Sequence, residues 1–270
     1  AIGSVRLRCG ACKHYFLPQN SPGTLSLEEA ANAAVAIKVW EPFRSETMPN
    51  LLNAIRCRII DDILRNEVKP DTTIISIGAG FDTRPYRLTG GAWIELDEGP
   101  LLAYKDEKLP VAECRNPLRR IAIDFSRESL DDKLMAISGQ QPVIVIIEGV
   151  LMYLEPEAIL ANVHTLHRRF PRHLLLCDLM NRRFFERFSG RVHAKLAAMG
   201  GTFTARPERP EEIFTSNGYV EAGRIPMARR ALELGMYWER LGVPDILAKL
   251  MLKLISRDLY GYAVHRFQAG

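Results

Sequence analysis

The residues with the most chemical content sit in one turn and at three strand ends. In IISIGAGFDTRPYRL, residues 74–88, a β-branched run stops at Gly78-Ala79-Gly80, and Asp82, Arg84 and Pro85 follow at once. Glycine there permits unusual dihedrals and lets a ligand lie against the main chain. AWIELD then ends in Asp97, 17 residues beyond Gly80, and IAIDF ends in Asp124 and Phe125. VIVIIEGVLMYL carries Glu148 at the close of a further apolar run. A carboxylate at a strand end can accept two hydrogen bonds from ribose hydroxyls. An acceptor at Asp124 suits the exocyclic amine of adenine, and Phe125 can pack on the ring face.

A dinucleotide site would use G-x-G-x-x-G, its third glycine easing helix packing and its helix N-terminus holding pyrophosphate. Here Thr83 holds the third position, and Asp82 at the helix start would repel phosphate. The ordered set of glycine turn, Asp97, Asp124 and Glu148 describes a nucleoside with an amino-acid tail and no phosphate. That description fits S-adenosylmethionine.

These positions require an α/β frame. Apolar runs at 74–77, 92–96, 120–123, 143–148, 173–178, 219–225 and 262–267 read as strands. Between them, helices are expected near 98–108, 126–137, 155–169 and 181–199, with shorter pieces around 207–217, 227–241 and 244–256. The early strands are nearly continuously apolar, as in a parallel sheet covered on both faces. Strand alternating with helix gives a doubly wound, mostly parallel seven-stranded sheet of Rossmann-like form. The late strand YAVHRF allows an antiparallel insertion beside it. The first 70 residues read as an irregular arm and a helical cap. Ser26 and Glu29 form a capping box there, and a second helix follows in NLLNAIRCRIIDDILRNEV. Residues 71–270 read as the core, with a helical, Met-rich lid near 227–256, the whole forming a single domain.

The chain has 270 residues, 47% of them apolar, and a net charge of +4, too mild to imply nucleic acid. No run approaches the roughly 18 apolar residues of a membrane span, and the basic start lacks a secretory core. Five cysteines at irregular spacing argue against a disulfide framework, so a reducing cytoplasm is expected. The single C-x-x-C of Cys9 and Cys12, with His14 nearby, lacks the second pair that a structural zinc site wants. No metal site is expected.

GAGFDTRPYRL, ELD, IAIDF and EGVLMYL together resemble the class I S-adenosylmethionine-dependent methyltransferases of the leucine carboxyl methyltransferase family, including its polyketide O-methyltransferase branch. The helix AIRCRIIDDIL is similar to the family's segment before the first strand. The likeness covers residues 50–180 well and the last strand in outline; the N-terminal region departs from the family's pattern. The resemblance implies that Gly78, Ala79 and Gly80 line the methionine part of the cofactor. Asp97 would hold the ribose, Asp124 and Phe125 would face adenine, and Glu148 would lie near the amino group or ribose. Arg56 or Arg58 would meet the cofactor carboxylate or an acidic substrate, and spacing leaves the choice open. Asp82, Thr83 and Arg84 would brace the loop.

Methyl transfer from a sulfonium is an in-line displacement in which alignment supplies much of the acceleration. A carboxylate acceptor needs no base, whereas a phenol benefits from one. Among His164, His167, His193, His265 and Tyr153, only Tyr153 follows Glu148 into the loop on the ligand edge, so it is the candidate base. The reading is therefore O-methylation of a small-molecule hydroxyl or carboxyl, releasing S-adenosylhomocysteine. Its alternatives are a protein C-terminal carboxyl methyltransferase, a non-catalytic S-adenosylmethionine-binding protein and an NAD-dependent oxidoreductase. The acceptor and the oligomeric state are not encoded in any motif.

Overall fold

The computed structural model describes residues 47–270, apart from 126, 191–192, 195–202, 206 and 235–257. The Cys9/Cys12 arm, the capping box at Ser26 and most of the expected lid lie outside the described residues.

Helix α1 (Thr47–Glu67) enters first, followed by β1 (Thr73–Ile77), the one-turn α2 (Arg84–Arg87) and β2 (Ala92–Asp97). Next come α3 (Gly99–Lys108), β3 (Leu118–Ala122), α4 (Leu130–Leu134) and β4 (Val143–Ile147). Then α5 (Pro156–Arg169), β5 (His173–Met180), α6 (Arg182–Phe188) and α7 (Glu212–Thr215) lead to β6 (Tyr219–Pro226). Helix α8 (Met227–Glu233) and β7 (Tyr262–Ala269) complete the described elements. The seven strands form one sheet in the order β3-β2-β1-β4-β5-β7-β6. Strands β1 to β5 run parallel, and β7 pairs antiparallel with both β5 and β6. The inserted antiparallel strand that the C-terminal sequence allowed is thus present.

Alternate residues of each central strand feed two cores. Ile74, Ile144, Ile146, Leu176 and Val264 pack on one face with Leu51, Ile55, Ile59, Ile60 and Leu64 of α1. Those α1 residues recur at helical spacing, so the helix buries one stripe while Arg58 and Arg65 stay exposed on the other. Ile75, Ile77, Val145, Ile147 and Leu175 face the other way, against Leu134, Ile159, Val163 and Leu166. Each such buried aliphatic side chain contributes about 1.5–3 kcal/mol.

Three expectations change. Strand β3 is not continuously buried: it lies at the sheet edge, with Leu118 partly covered by one core, Ile121 partly covered by the other, and Arg119 and Ala122 exposed. The helix expected over 126–137 spans only Leu130–Leu134, since the Ser129 side chain accepts from Asp131 N and fixes the start there. The piece expected over 207–217 shrinks to Glu212–Thr215, bounded by Pro210 and by Gly218 at φ 87°. Of the helix expected over 181–199, Arg182–Phe188 is continuous and much of the remainder lies outside the described residues.

Candidate functional site

The glycine turn follows β1 where the strand order reverses, with β2 on one side and β4 on the other. Open α/β sheets bind ligands in that crevice, at the carboxyl ends of the strands. Gly78 and Gly80 both take positive φ, 69° and 48°. A side chain at Gly78 would collide with Val150, so β1 and the loop after β4 can approach only because it is glycine. Above Gly80 a side chain would meet nothing within 4 Å, leaving space against the main chain.

Asp97 ends β2 directly beneath this turn. Its Oδ2 accepts from Gly80 N at 2.6 Å and its Oδ1 from Glu98 N at 2.7 Å. Two backbone donors therefore fix the carboxylate plane, and each oxygen keeps a lone pair for a further donor. Asp124 lies two residues past the end of β3, with its side chain part-exposed beside Arg127. Phe125 is among the most exposed large apolar residues described, 36% accessible at that edge. Both sit where a ring could lie on them.

Thr83 occupies the third-glycine position and is buried at the start of α2. The first amide of that turn, Arg84 N, is already taken by Asp82 Oδ1 at 2.9 Å. A single-turn helix with its leading donor consumed offers no phosphate cradle, which agrees with the missing glycine.

Arg84 is the centre of a buried ionic network. With its side chain 1% exposed, it donates to Asp61 at 2.7 Å, Asp82 at 2.8 Å and Glu148 at 2.7 Å. Arg87 closes a second contact on Asp61. Burial by itself would raise the Glu148 carboxyl, but Arg84 and Arg56 outweigh it and bring it down to about 2. Burial likewise raises Asp61, yet bonding to Arg87 and Arg84 leaves it lowered overall. Cys57 donates to Glu148 Oε1 at 3.2 Å, and burial next to that carboxylate pushes its thiol well up, so it stays protonated.

The structure also separates the two candidate arginines. Arg56 reaches the crevice, where Nε donates to Glu148 at 2.9 Å and Nη1 to Asp178 at 3.1 Å and to Tyr262 Oη at 2.8 Å. Its Nη2 makes no hydrogen bond to the described residues and lies over Gly149, where a Cβ would come within 3.0 Å of it. Arg58, two positions on, points to the opposite side, half exposed and bonded to Asp62.

Asp178 and Tyr262 were missed as site residues. Asp178 Oδ1 accepts from Gly149 N at 2.6 Å and Oδ2 from the Tyr262 hydroxyl at 2.6 Å. An acid in the strand HLLLCDL, where its neighbours are apolar, was the available signal for Asp178. Tyr262 had none, because its place depends on β7 pairing with Met180 across the sheet.

Tyr153 follows β4 in a short 3-10 turn, half exposed, with its ring 5.0 Å from Phe203. Burial raises its hydroxyl pKa, with Arg56 acting in the opposite sense. His164, His167 and His265 stand elsewhere, whereas His193 shares the Phe203 ring with Tyr153. His164 meets Asn217 at 3.0 Å and His167 meets Gly270 O at 3.1 Å, at the opposite edge of the sheet, where β6 begins and β7 ends. His265 is buried on β7 and bonded to Glu221, and His193 packs on Phe185 and Phe203. Among the described residues, no helix is long and apolar enough to cross a membrane.

Known proteins resemble this chain in sequence and in fold. A protein of Frankia alni, provisionally named an S-adenosyl-L-methionine-dependent methyltransferase, is 31% identical over 146 residues, covering 51% of this chain and 48% of that protein. One from Mycobacteroides abscessus, named in the same way, is 37% identical over 95 residues, 31% of this chain and 30% of its own. The matched stretches thus span about half the length of these curated relatives or less. Two solved structures share the fold. A methyltransferase, so named provisionally, from Thermobifida fusca superposes with a TM-score of 0.54 at 16% identity, covering 89% of this chain and 88% of its own. A DUF574 family protein from Streptomyces avermitilis gives a TM-score of 0.53 at 14% identity, covering 89% and 90%. The sequence pattern of the leucine carboxyl methyltransferase family matches residues 13–167, starting well before the residue-50 limit expected from the motifs alone. More than half of the chain carries that pattern, and the chain belongs to the leucine carboxyl methyltransferase family, the S-adenosylmethionine-dependent group that its glycine turn and strand-end acids resemble.

Proposed function

We propose that this protein is an S-adenosylmethionine-dependent methyltransferase acting on an oxygen of a small molecule. The observation that carries the reading is the Gly80–Asp97 contact beneath an open glycine turn, where Asp82 already occupies the first amide of α2. Asp97, its plane fixed by two amides, receives the ribose hydroxyls. Asp124 and Phe125 take the adenine edge and face. Arg56, held on two sides by Glu148 and Asp178, offers Nη2 to the carboxylate of the amino-acid tail. Glu148, kept ionised by two arginines, is an acceptor for the amino group next to it.

Bound S-adenosylmethionine supplies an electrophilic methyl on a good leaving group. The chain's own contribution is orientation and exclusion of water, since fixing donor and acceptor in line removes much of the entropic barrier. The buried network does this without moving: every charged member has a partner before any ligand arrives, so none must reorganise. Tyr153 stands at the mouth of the same edge, where its hydroxyl can meet the acceptor.

The test is titration of the full chain with S-adenosylhomocysteine and, separately, with NAD, followed by a methyl-transfer screen with labelled S-adenosylmethionine. Binding of the first alone, weakened by Asp97→Ala, is expected. Binding of NAD in its place would defeat the reading.

A further inference from the structure

A cavity of about 410 Å³ lies between α1, β6, α8 and β7, within the size range of small-molecule sites. None of the residues assigned to the cofactor lines it. Its walls come from residues 59–67, 224–233 and Arg266, and each of these stretches is described without a break. Ile59 and Ile63, both buried on α1, give it an apolar floor, and four arginines stand around that floor.

We infer that this cavity binds a phosphate monoester with a small apolar body, at a site separate from the cofactor crevice. The inference stands independently of the methyl-transfer reading.

Three of the four arginines are in ion pairs. Arg229 and Arg230 meet Glu233 at 3.0 and 3.2 Å, Arg230 also meets Asp62 at 3.2 Å, and Arg266 Nη2 donates to Glu67 at 2.6 Å. Asp62 is shared further with Arg58 and Arg65, so its single charge answers three guanidinium groups. Arg224 forms no ion pair with the described residues, and its Nη2 donates to the Tyr260 carbonyl at 2.6 Å. Glu221, the acid of the same strand, has its Oε1 bonded to His265 Nδ1 at 2.6 Å.

Arg266 carries the second observation. A bulge in β6 between Glu221 and Gly223 sets it opposite that glycine, so its stem lies along the backbone of β6. Its Nε is buried and makes no hydrogen bond to the described residues. A buried N–H without an acceptor is costly, so an acceptor brought by a ligand is favoured there.

The placement selects phosphate over carboxylate. The arginines project from β6, α8 and β7, so their guanidinium groups approach from different directions. A planar carboxylate matches one guanidinium fork. A phosphate monoester carries a charge of about −1.5 to −2 at pH 7, and its tetrahedral oxygens accept from several donors at once. Ile59 and Ile63 meet the apolar body.

The probes are phenyl phosphate, benzoate and benzyl alcohol, which share a ring and differ in the group it bears. Each is titrated calorimetrically into the full chain, for the wild type, Arg224→Gln and Arg266→Gln, with S-adenosylhomocysteine as a control ligand. Arg224 is exposed, so Arg224→Gln keeps the test open if the loss of Arg266 beside Glu67 prevents folding. Phenyl phosphate should bind at least about tenfold tighter than benzoate, and benzyl alcohol should not bind. Each folded variant should weaken phenyl phosphate about fivefold or more, while S-adenosylhomocysteine affinity stays within about twofold. Equal or tighter benzoate binding, no phenyl phosphate binding, or a phenyl phosphate affinity unchanged in Arg224→Gln would each overturn the inference. Failure of S-adenosylhomocysteine alone removes the methyl-transfer reading and leaves this site in place.

Discussion

Arg84 and Glu148, 64 positions apart in the chain, meet at 2.7 Å with the arginine 1% exposed. The contact ties the loop after β1 to the loop after β4, the two segments that flank the glycine crevice. Arg56 grips the other oxygen of Glu148, so one carboxylate joins α1, the glycine turn and β4.

Replacing Arg84 should therefore be costly. Arg84→Met leaves Asp61, Asp82 and Glu148 short of a cation in a buried setting. Breaking a buried ionic network from one side costs about 3–5 kcal/mol. Urea unfolding of the variant should show that loss; a change below about 1 kcal/mol would mean that water already screens the network.

Asp97→Ala removes the acceptor for Gly80 N and Glu98 N together with the proposed ribose contact. Hydrogen bonds to a charged group are worth about 1.5–3 kcal/mol, so S-adenosylhomocysteine should bind about tenfold to a hundredfold more weakly. Calorimetric titration reads this directly. An unchanged affinity would place the ribose elsewhere.

Tyr262→Phe deletes a hydroxyl that donates to Asp178 at 2.6 Å and accepts from Arg56 at 2.8 Å. A stability loss of about 1 kcal/mol is expected from the missing hydrogen bonds. If Arg56 also binds the cofactor carboxylate, cofactor affinity should fall further than stability does. An affinity equal to wild type would reduce Tyr262 to a packing role.

Acid should destabilise the fold in two separate windows. Burial lowers His173 and His265 to about 4 in the folded state, from an ordinary value of 6.5. Between those values the unfolded chain binds more protons, so stability falls as pH drops from about 6.5 to 4. Glu148, depressed from 4.5 to about 2, adds stability that is complete above 4.5 and lost as pH falls through that lower range. Melting temperatures across pH 7 to 3 should thus decline from near 6.5 in the wild type. His265→Gln should make the upper window shallower, leaving the part due to His173, and Glu148→Gln should flatten the lower one; a decline that starts only below about 4.5 would show that the histidines are already hydrated.

Much of this was local and hence legible. The glycine turn, the acids closing their strands and the alternation of apolar runs are short-range patterns, because strand period, turn dihedrals and helix caps are set by neighbours in sequence. They determined the mostly parallel sheet, the ligand edge and the nucleoside chemistry. The choice between Arg56 and Arg58 was not local. Two residues apart on a helix they diverge by roughly 200°, and which one faces inward depends on how α1 lies on the sheet. Tyr262 joins Arg56 and Asp178 only because β7 inserts antiparallel beside β5, a pairing that brings together residues 84 and 206 positions apart. Leu151, Ile159, Met180 and Phe214 likewise line one cavity although they come from three separate stretches of chain. Sequence determined which groups could hold a cofactor; the packing of distant segments decided which of them meet, because contact energies between distant residues exist only once the chain has closed.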